Sequence, residues 1–242
     1  MKKISIILPT YNEKENIIVL IDRIKKELYG KLDYEIIVVD DNSPDKTWEL
    51  VKNYSLNDPK VILIHRINKR GLTSAFNDGI DKATGDYVAW MDCDLCHPPE
   101  LLGTLLKNLD NCDAVVASRF VEGGKDGRDG TYQFQRFLSI VLSKISYLIT
   151  RNSVRDITSG YIVIKKEFLD KVVPLCGDYG EYFIDLLCRL SKVGCLVKEI
   201  PYTFTNREFG ESKTATSFLG YFPRGIKYII MLLKHFHGFK KC

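Results

Sequence analysis

The first half of this chain alternates short, almost wholly apolar β-branched runs with segments of helical spacing, and few folds accept that order. Lys3–Leu8, Glu35–Val39, Val61–Ile64, Tyr87–Met91 and Cys112–Ser118 read as strands. Between them, helices are expected at about Lys14–Leu28, Lys46–Asn53, Leu72–Lys82 and Pro99–Leu109. In the first, Ile17, Leu20, Ile21, Ile24 and Leu28 recur at three- and four-residue spacing, which lines one helix face. A strand without a polar face has to be covered on both sides. The pattern therefore predicts an α/β fold with a mostly parallel central sheet flanked by helices. Ligands of such sheets bind beyond the carboxyl ends of the strands. Three of those ends carry notable residues: Pro9, Thr10, Tyr11, Asn12 and Glu13; Asp40 and Asp41; and Asp92, Cys93 and Asp94.

The second half is less regular. Glu122–Gly130, with four glycines, reads as a loop; Phe134–Ile149 and Phe218–Phe236 read as apolar amphipathic helices, the latter interrupted by Arg224, Lys227, Lys234 and His235. Ser159–Ile164 is expected to be a strand, Tyr182–Lys192 a helix, Leu196–Phe204 extended and Asn206–Thr216 a polar loop. No window holds the roughly 18 uninterrupted apolar residues of a membrane span. The opening MKKISIILPTYNE runs straight into a charged helix, so it reads as a core strand and not a signal peptide. The seven cysteines lack zinc-site spacing, and free thiols in a reducing, cytoplasmic compartment are the simplest account. A net charge of +4 suits phosphate-bearing ligands or an anionic membrane, and equally simple solubility.

Asp92 and Asp94 stand two residues apart directly after a buried strand, where alternate side chains share a side. Two carboxylates so placed can hold Mg²⁺ or Mn²⁺, which in turn binds a diphosphate and makes it a better leaving group. Asp40 and Asp41 have a plainer alternative, capping the helix that begins near Asp45. His97, followed by Pro98 and Pro99 at a helix start, reads as structural.

PTYNE, VVDDNSPDKT, GLTSAFNDGIDKATGDYVAWMDCDLCHPPE and SRF together resemble the family-two glycosyltransferases of the GT-A (Rossmann-like) fold. Residues 156–161 (DITSGY) and 207–213 (REFGESK) resemble the polyprenyl-phosphate mannose synthase subgroup, and the likeness spans about residues 3–215. It implies that Pro9, Tyr11, Glu13, Val38, Asp40 and Asp41 line the nucleotide pocket, and that Asp92, Asp94 and Cys96 surround the metal. Asp94, Arg119 and Arg207 would be catalytic. Arg119, Arg136, Ser139 and Lys213 would receive an acceptor phosphate, and Arg207 and Lys213 would close over the phosphates. Cys96 stands where the family usually has Gln or Ser, and a thiolate there would favour a softer ion. Asp185 stands where Glu is typical.

The implied reaction is inverting transfer of a hexose, mannose from GDP-mannose first and UDP-glucose as the alternative donor, to a dolichyl or polyprenyl phosphate. A phosphate acceptor is already anionic and needs cations rather than a base, which suits a region rich in Arg and Lys. Residues 1–215 would form the catalytic domain and 216–242 an amphipathic helix contacting a membrane surface. The protein would then be peripheral on the cytoplasmic face, unless a membrane-anchoring subunit serves instead. No nucleic-acid partner is expected. Another family-two transferase acting on a polysaccharide or soluble acceptor, or a non-catalytic binding module, are the remaining alternatives. An NAD-binding Rossmann enzyme is excluded, because PTYNE holds no glycine where that cofactor needs several.

Overall fold

The computed structural model describes residues 2–127, 137, 139–144, 154–205, 207 and 218–236, with side chains at 226–235 in the last of these segments. Strands β1 (Lys3–Thr10), β2 (Asp33–Asp40), β3 (Val61–His65) and β4 (Tyr87–Trp90) alternate with helices α1 (Ile17–Leu28), α2 (Thr47–Ser55) and α3 (Leu72–Lys82). A 3-10 turn at Pro99–Leu101 leads into α4 (Leu102–Asn108), followed by β5 (Ala114–Ser118) and the short β6 (Lys125–Asp126). The remaining elements are β7 (Ile162–Lys165), α5 (Lys166–Leu169), α6 (Glu181–Lys192), β8 (Val197–Pro201), β9 (Thr203–Phe204) and α7 (Phe218–Phe236).

Seven strands form one sheet in the order β3-β2-β1-β4-β7-β5-β8, and β6 pairs with β9 in a separate ribbon. Pairing is parallel except at β7, which runs antiparallel to both β4 and β5. The period of two along each strand divides the core in two. Ile4, Ile6 and Leu8 of β1 pack with α1, Val51 of α2 and Leu102 and Leu105 of α4 on one face. Ile7, Ile37 and Val39 pack with Phe76 of α3, Phe183 and Leu187 of α6 and Leu232 of α7 on the other. Helix α3 lies so close to β1 that a Cβ on Gly79 would run into Ile7.

The predicted layers are present, and most boundaries fall within a few residues of expectation. Three departures have visible causes. Helix α1 starts at Ile17 instead of Lys14, because Asn12 takes a left-handed φ of 55° and the chain must turn before it can coil. Strand β7 starts at Ile162 instead of Ser159, because Gly160 has φ +71°. Leu196–Phe204 divides at Tyr202 between the main sheet and the ribbon. Five cysteines, at 93, 96, 112, 188 and 195, are free as expected; Cys176 departs from the expectation in being disulfide-bonded. Among the described residues no helix is long and apolar enough to cross a membrane.

Candidate functional site

Strands β2, β1 and β4 are neighbours, so the three segments beyond their carboxyl ends meet at one edge of the sheet. Hydrogen bonds from the backbone and from short polar side chains fix the first two. Asp40, fully buried, accepts from Thr10 Oγ1 at 2.8 Å and from Ser43 N and Oγ at 2.8 and 2.6 Å. Ser43 Oγ in turn accepts the Asn12 amide at 3.0 Å. Asn12 and Asn42 both sit in the left-handed region, at φ 55° and 54°, which short amide side chains tolerate and bulky ones do not. Glu13 is buried, its amide donating to Thr47 Oγ1 at 3.0 Å and its Oε2 accepting from Asn16 at 2.8 Å.

Asp41 holds a different element. Its Oδ1 takes Arg66 Nε at 2.7 Å as well as Arg66 Nη2, and its Oδ2 takes the Gly71 amide at 2.8 Å. Arg66 continues to Ser74 Oγ at 2.9 Å and Asp78 at 3.1 Å, which staples the loop before α3 to the site. That loop carries Arg70 over the Tyr11 ring, 5.2 Å from its centroid. Neither Asp40 nor Asp41 caps α2. Asp45 does the local work there, accepting from Thr47 N and Oγ1 at 2.9 and 2.6 Å.

The segment after β4 is held from three sides. Cys93 Sγ donates to Pro9 O at 3.2 Å, Tyr161 OH donates to Pro98 O at 3.2 Å, and the Asp92 amide donates to His97 Nδ1 at 3.1 Å. Leu95 adopts φ 63°, an expensive conformation for a branched side chain, and the tight turn it makes lets Asp94 Oδ1 accept the Cys96 amide at 3.1 Å. Asp94 Oδ2 pairs with Arg207 Nη2 at 2.8 Å. Asp92 stays half-buried, and its carboxyl is pushed up to about 7 by burial and by the neighbouring Asp94 charge, with Arg207 opposing. Two crowded carboxylates that share one guanidinium keep a negative surplus and could hold a divalent cation.

Cys96, read from the sequence as a neighbour of the metal, sits directly beside Asp94. Among the described residues no group of three His, Cys, Asp or Glu side chains could hold a metal. The Cys96 thiol is buried and hydrogen-bonded to Asp94, and burial and that carboxylate push its pKa far above the ordinary thiol value. In the metal-free site the thiol therefore stays protonated.

The arginine after β5 is placed more deeply than the sequence suggested. Arg119 is buried, its Nε and Nη2 forking onto Asp156 Oδ2 and Oδ1 at 2.8 and 2.7 Å. Nη2 also donates to Thr158 Oγ1 at 2.7 Å, and Nη1 lies 3.5 Å from Asp126 Oδ2. Burial works against its charge, but Asp156 outweighs burial and the guanidinium is held charged. Val38 and Asp40 have no exposed surface, whereas Pro9, Tyr11, Asn12 and Asn42 do. Ser139 lies in a helical segment and is half-buried, while Arg136 and Lys213 lie outside the described residues. Arg66 and Arg70 escaped the sequence reading, although the basic run before Gly71 was a visible signal.

His97 is structural, as its sequence context suggested. It is fully buried among Tyr161, Tyr202 and Phe204, with ring centroids at 5.2, 5.8 and 5.6 Å. Its Nδ1 accepts the Asp92 amide, so the proton sits on Nε2, which finds no hydrogen-bond partner among the described residues. Burial, with Arg119 adding and Asp94 opposing, lowers its pKa to about 4. The unfolded chain, with an ordinary imidazole near 6.5, takes up the proton first as pH falls. Stability from this group is therefore present above pH 6.5 and is lost progressively between 6.5 and 4, by about 3 kcal/mol in full. Urea midpoints measured across that window should fall in the wild type and flatten in His97→Asn; parallel curves would remove His97 as the cause.

Comparisons with known proteins follow the same outline. The family described as Glycosyl transferase family 2 matches residues 5–173. The dolichol-phosphate mannosyltransferase of Pyrococcus furiosus is 39% identical over 216 residues, covering 87% of this chain and 59% of that protein, so the chain spans little more than half of that relative. The polyprenol monophosphomannose synthase of Mycolicibacterium smegmatis is 36% identical, covering 88% of this chain and 81% of its own length. Among solved structures, glucosyl-3-phosphoglycerate synthase from Mycobacterium tuberculosis, in complex with Mn²⁺, UDP and glucosyl-3-phosphoglycerate, superposes with a TM-score of 0.72. It is 19% identical and covers 98% of this chain and 80% of its own, a likeness of fold.

Proposed function

The chain belongs to glycosyl transferase family 2, and from that premise we propose that it transfers mannose from GDP-mannose to a dolichyl or polyprenyl phosphate, inverting the anomeric centre. The observation that carries this reading is the acidic pair beyond β4, crowded enough to raise one carboxyl and countered by a guanidinium. Similarity to relatives named for mannosyl transfer to dolichol phosphate and for polyprenol monophosphomannose synthesis supports the sugar and the acceptor class.

In this reading Pro9, Tyr11 and Glu13 line the nucleotide pocket with the β2 end behind them, and Arg70 closes it from the side. Asp92 and Asp94 hold Mg²⁺ or Mn²⁺, hard oxygen ligands for a hard ion. The bound ion supplies charge neutralisation of the departing diphosphate. Arg207 leaves Asp94 to contact that diphosphate, and Lys213 joins it. Arg136, Ser139 and the Nη1 side of Arg119 receive the acceptor phosphate, whose oxygen attacks without a general base because it is already ionised. The protein works at the cytoplasmic face of a membrane.

The test is a transfer assay with radiolabelled GDP-mannose or UDP-glucose against short polyprenyl phosphates, with Mn²⁺, Mg²⁺ or a chelator. Label should enter the lipid phase from GDP-mannose and disappear on chelation. Label from UDP-glucose alone would correct the donor. A folded, nucleotide-binding protein that labels no lipid would overturn the acceptor assignment.

A further inference from the structure

The loop between β3 and α3 combines a fixed backbone with one uncommitted cation. Arg66, buried at its start, engages all five of its guanidinium N–H groups within the fold. Nε and Nη2 donate to Asp41, Nη2 also to Gly71 O at 3.1 Å, and Nη1 to Ser74 Oγ at 2.9 Å and Asp78 Oδ2 at 3.1 Å. The Gly71 amide donates to Asp41 Oδ2 at 2.8 Å, and Ser74 Oγ donates to Arg70 O at 3.3 Å. Lys69 Nζ pairs with Asp78 at 2.5 Å. Arg70 stands between these anchored neighbours and is exposed, and among the described residues its guanidinium meets no carboxylate. It lies instead over the Tyr11 ring, 5.2 Å from the centroid.

The place of that contact gives it meaning. Strand β1 lies between β2 and β4, so Tyr11, just past β1, stands between the Asp40–Asp41 end of β2 and the acidic pair beyond β4. A nucleotide with its diphosphate at Asp92 and Asp94 and its body along Pro9 and Tyr11 runs its base toward the β2 side. The other polar groups there are already engaged. Asp40 has no exposed surface, and its oxygens accept from Thr10 and Ser43. The two Asp41 oxygens hold Arg66 and Gly71, and Asn42 Oδ1 is 2.9 Å from His65 Nε2. What remains is an aromatic face with an unpaired guanidinium beside it, a stacking surface next to a directional donor.

Nucleobases differ in what they offer such a donor. Guanine presents two adjacent acceptors, O6 and N7, which a guanidinium meets with two parallel hydrogen bonds. Adenine sets an amino donor beside N7, which opposes the guanidinium donor to donor. Uracil has O4 alone on the corresponding edge. A lysine ammonium in the same place would be a point charge without the fork.

We propose that Arg70 selects the base of the sugar donor, donating in bidentate fashion to the O6 and N7 edge of a guanine held at Tyr11, and so favours a guanosine over a uridine diphosphate. The inference rests on the glycosyl-transfer reading above for the presence of a nucleotide at this edge. The anchored backbone on either side fixes where the side chain starts, which reduces the ordering that base contact requires.

The experiment is calorimetric titration of the full chain, with Mn²⁺ present, by GDP, UDP and 7-deaza-GDP, comparing the wild type, Arg70→Ala and Arg70→Lys. GDP and UDP share their ribose and diphosphate, so the ratio of their affinities reports the base alone. Wild type should favour GDP over UDP about tenfold and lose a similar factor on 7-deaza-GDP, which lacks the N7 acceptor. Arg70→Ala should bind UDP as the wild type does, bind GDP about tenfold more weakly, and no longer distinguish GDP from its 7-deaza analogue. Arg70→Lys, which keeps the charge without the fork, should lose most of the preference as well. Melting curves should match the wild type, since the side chain is exposed and holds no ion pair among the described residues. Equal losses for GDP and UDP in Arg70→Ala would assign the guanidinium to the shared ribose and phosphates, or to structure, and overturn the proposal. A wild type without preference for GDP, or an N7 penalty that persists in Arg70→Ala, would overturn it too. The two readings fail separately. Base selection through Arg70 with no label reaching a lipid phosphate would sink the acceptor assignment and leave this inference standing. Lipid labelling from GDP-mannose whose donor preference survives Arg70→Ala would sink this inference alone.

Discussion

Replacing Asp94 with Asn should lower kcat/KM for sugar transfer about a thousandfold, roughly 4 kcal/mol of transition-state stabilisation, while the protein remains folded. The amide oxygen can still accept the Cys96 backbone amide, so the turn through Leu95 keeps its local support. What disappears is one of two negative charges at the carboxyl end of β4. Arg207 loses its 2.8 Å ion pair but still faces Asp92 and Glu13, so it is not left stranded in a neutral pocket. With the Asp94 charge gone, Asp92 loses the second-largest of the influences that raise its carboxyl to about 7, while burial and the weaker Glu13 charge remain. The variant should therefore melt close to the wild type, bind Mn²⁺ and donor together far more weakly, and fail to recover at high metal concentration. A loss smaller than tenfold would remove the acidic pair from the reaction.

Asp156→Ala should be the most destabilising single change among the residues discussed, by about 3 to 5 kcal/mol, read as a shift in the urea midpoint at constant slope. Asp156 has no exposed surface, and both its oxygens are taken by Arg119. Removing it leaves a buried guanidinium whose remaining acidic neighbour, Asp126, is 3.5 Å from Nη1. The stranded charge governs the size of the effect, more than the lost attraction does. The double variant Arg119→Met/Asp156→Leu removes both charges and should recover more than half of the deficit. It also separates two roles for Arg119: a double variant that is stable but transfers no sugar assigns Arg119 to the acceptor, and a stable, active one makes it scaffold. A single-variant cost below about 1 kcal/mol would mean that the site relaxes or hydrates, contrary to its burial.

Much of this molecule was readable from one sequence because its signals are periodic or positional. Ile17, Leu20, Ile21, Ile24 and Leu28 have one helical phase that buries them, and all five are buried. The acidic pair after β4 was legible because a strand without a polar face leaves its carboxyl end as the natural place for charge. The direction of β7 was not legible. Ile162–Lys165 is as apolar as its parallel neighbours, and direction is set by where the preceding connection delivers the chain, which residues 119–161 do not encode locally. Val38 shows a different limit: the resemblance set it at the nucleotide pocket, and its side chain turns into the α1-side core with Ile36. Arg66 escaped for a related reason, since its partners Asp41, Ser74 and Asp78 come together only when α3 folds back on β2. Cys96 shows a further limit: spacing counts candidate ligands without knowing whether a thiol is ionised where it sits.

The position of β7 also sets an order of assembly. As the chain emerges from its amino terminus, β2, β3 and β4 each find a neighbour among strands already made, so this four-stranded part of the sheet can form by residue 90. Strand β5 cannot join them, because its only neighbours in the sheet are β7 and β8, both still unsynthesised. It waits until Lys165 has been added, with Arg119 just beyond its end. Half of the candidate site therefore precedes the other half in time.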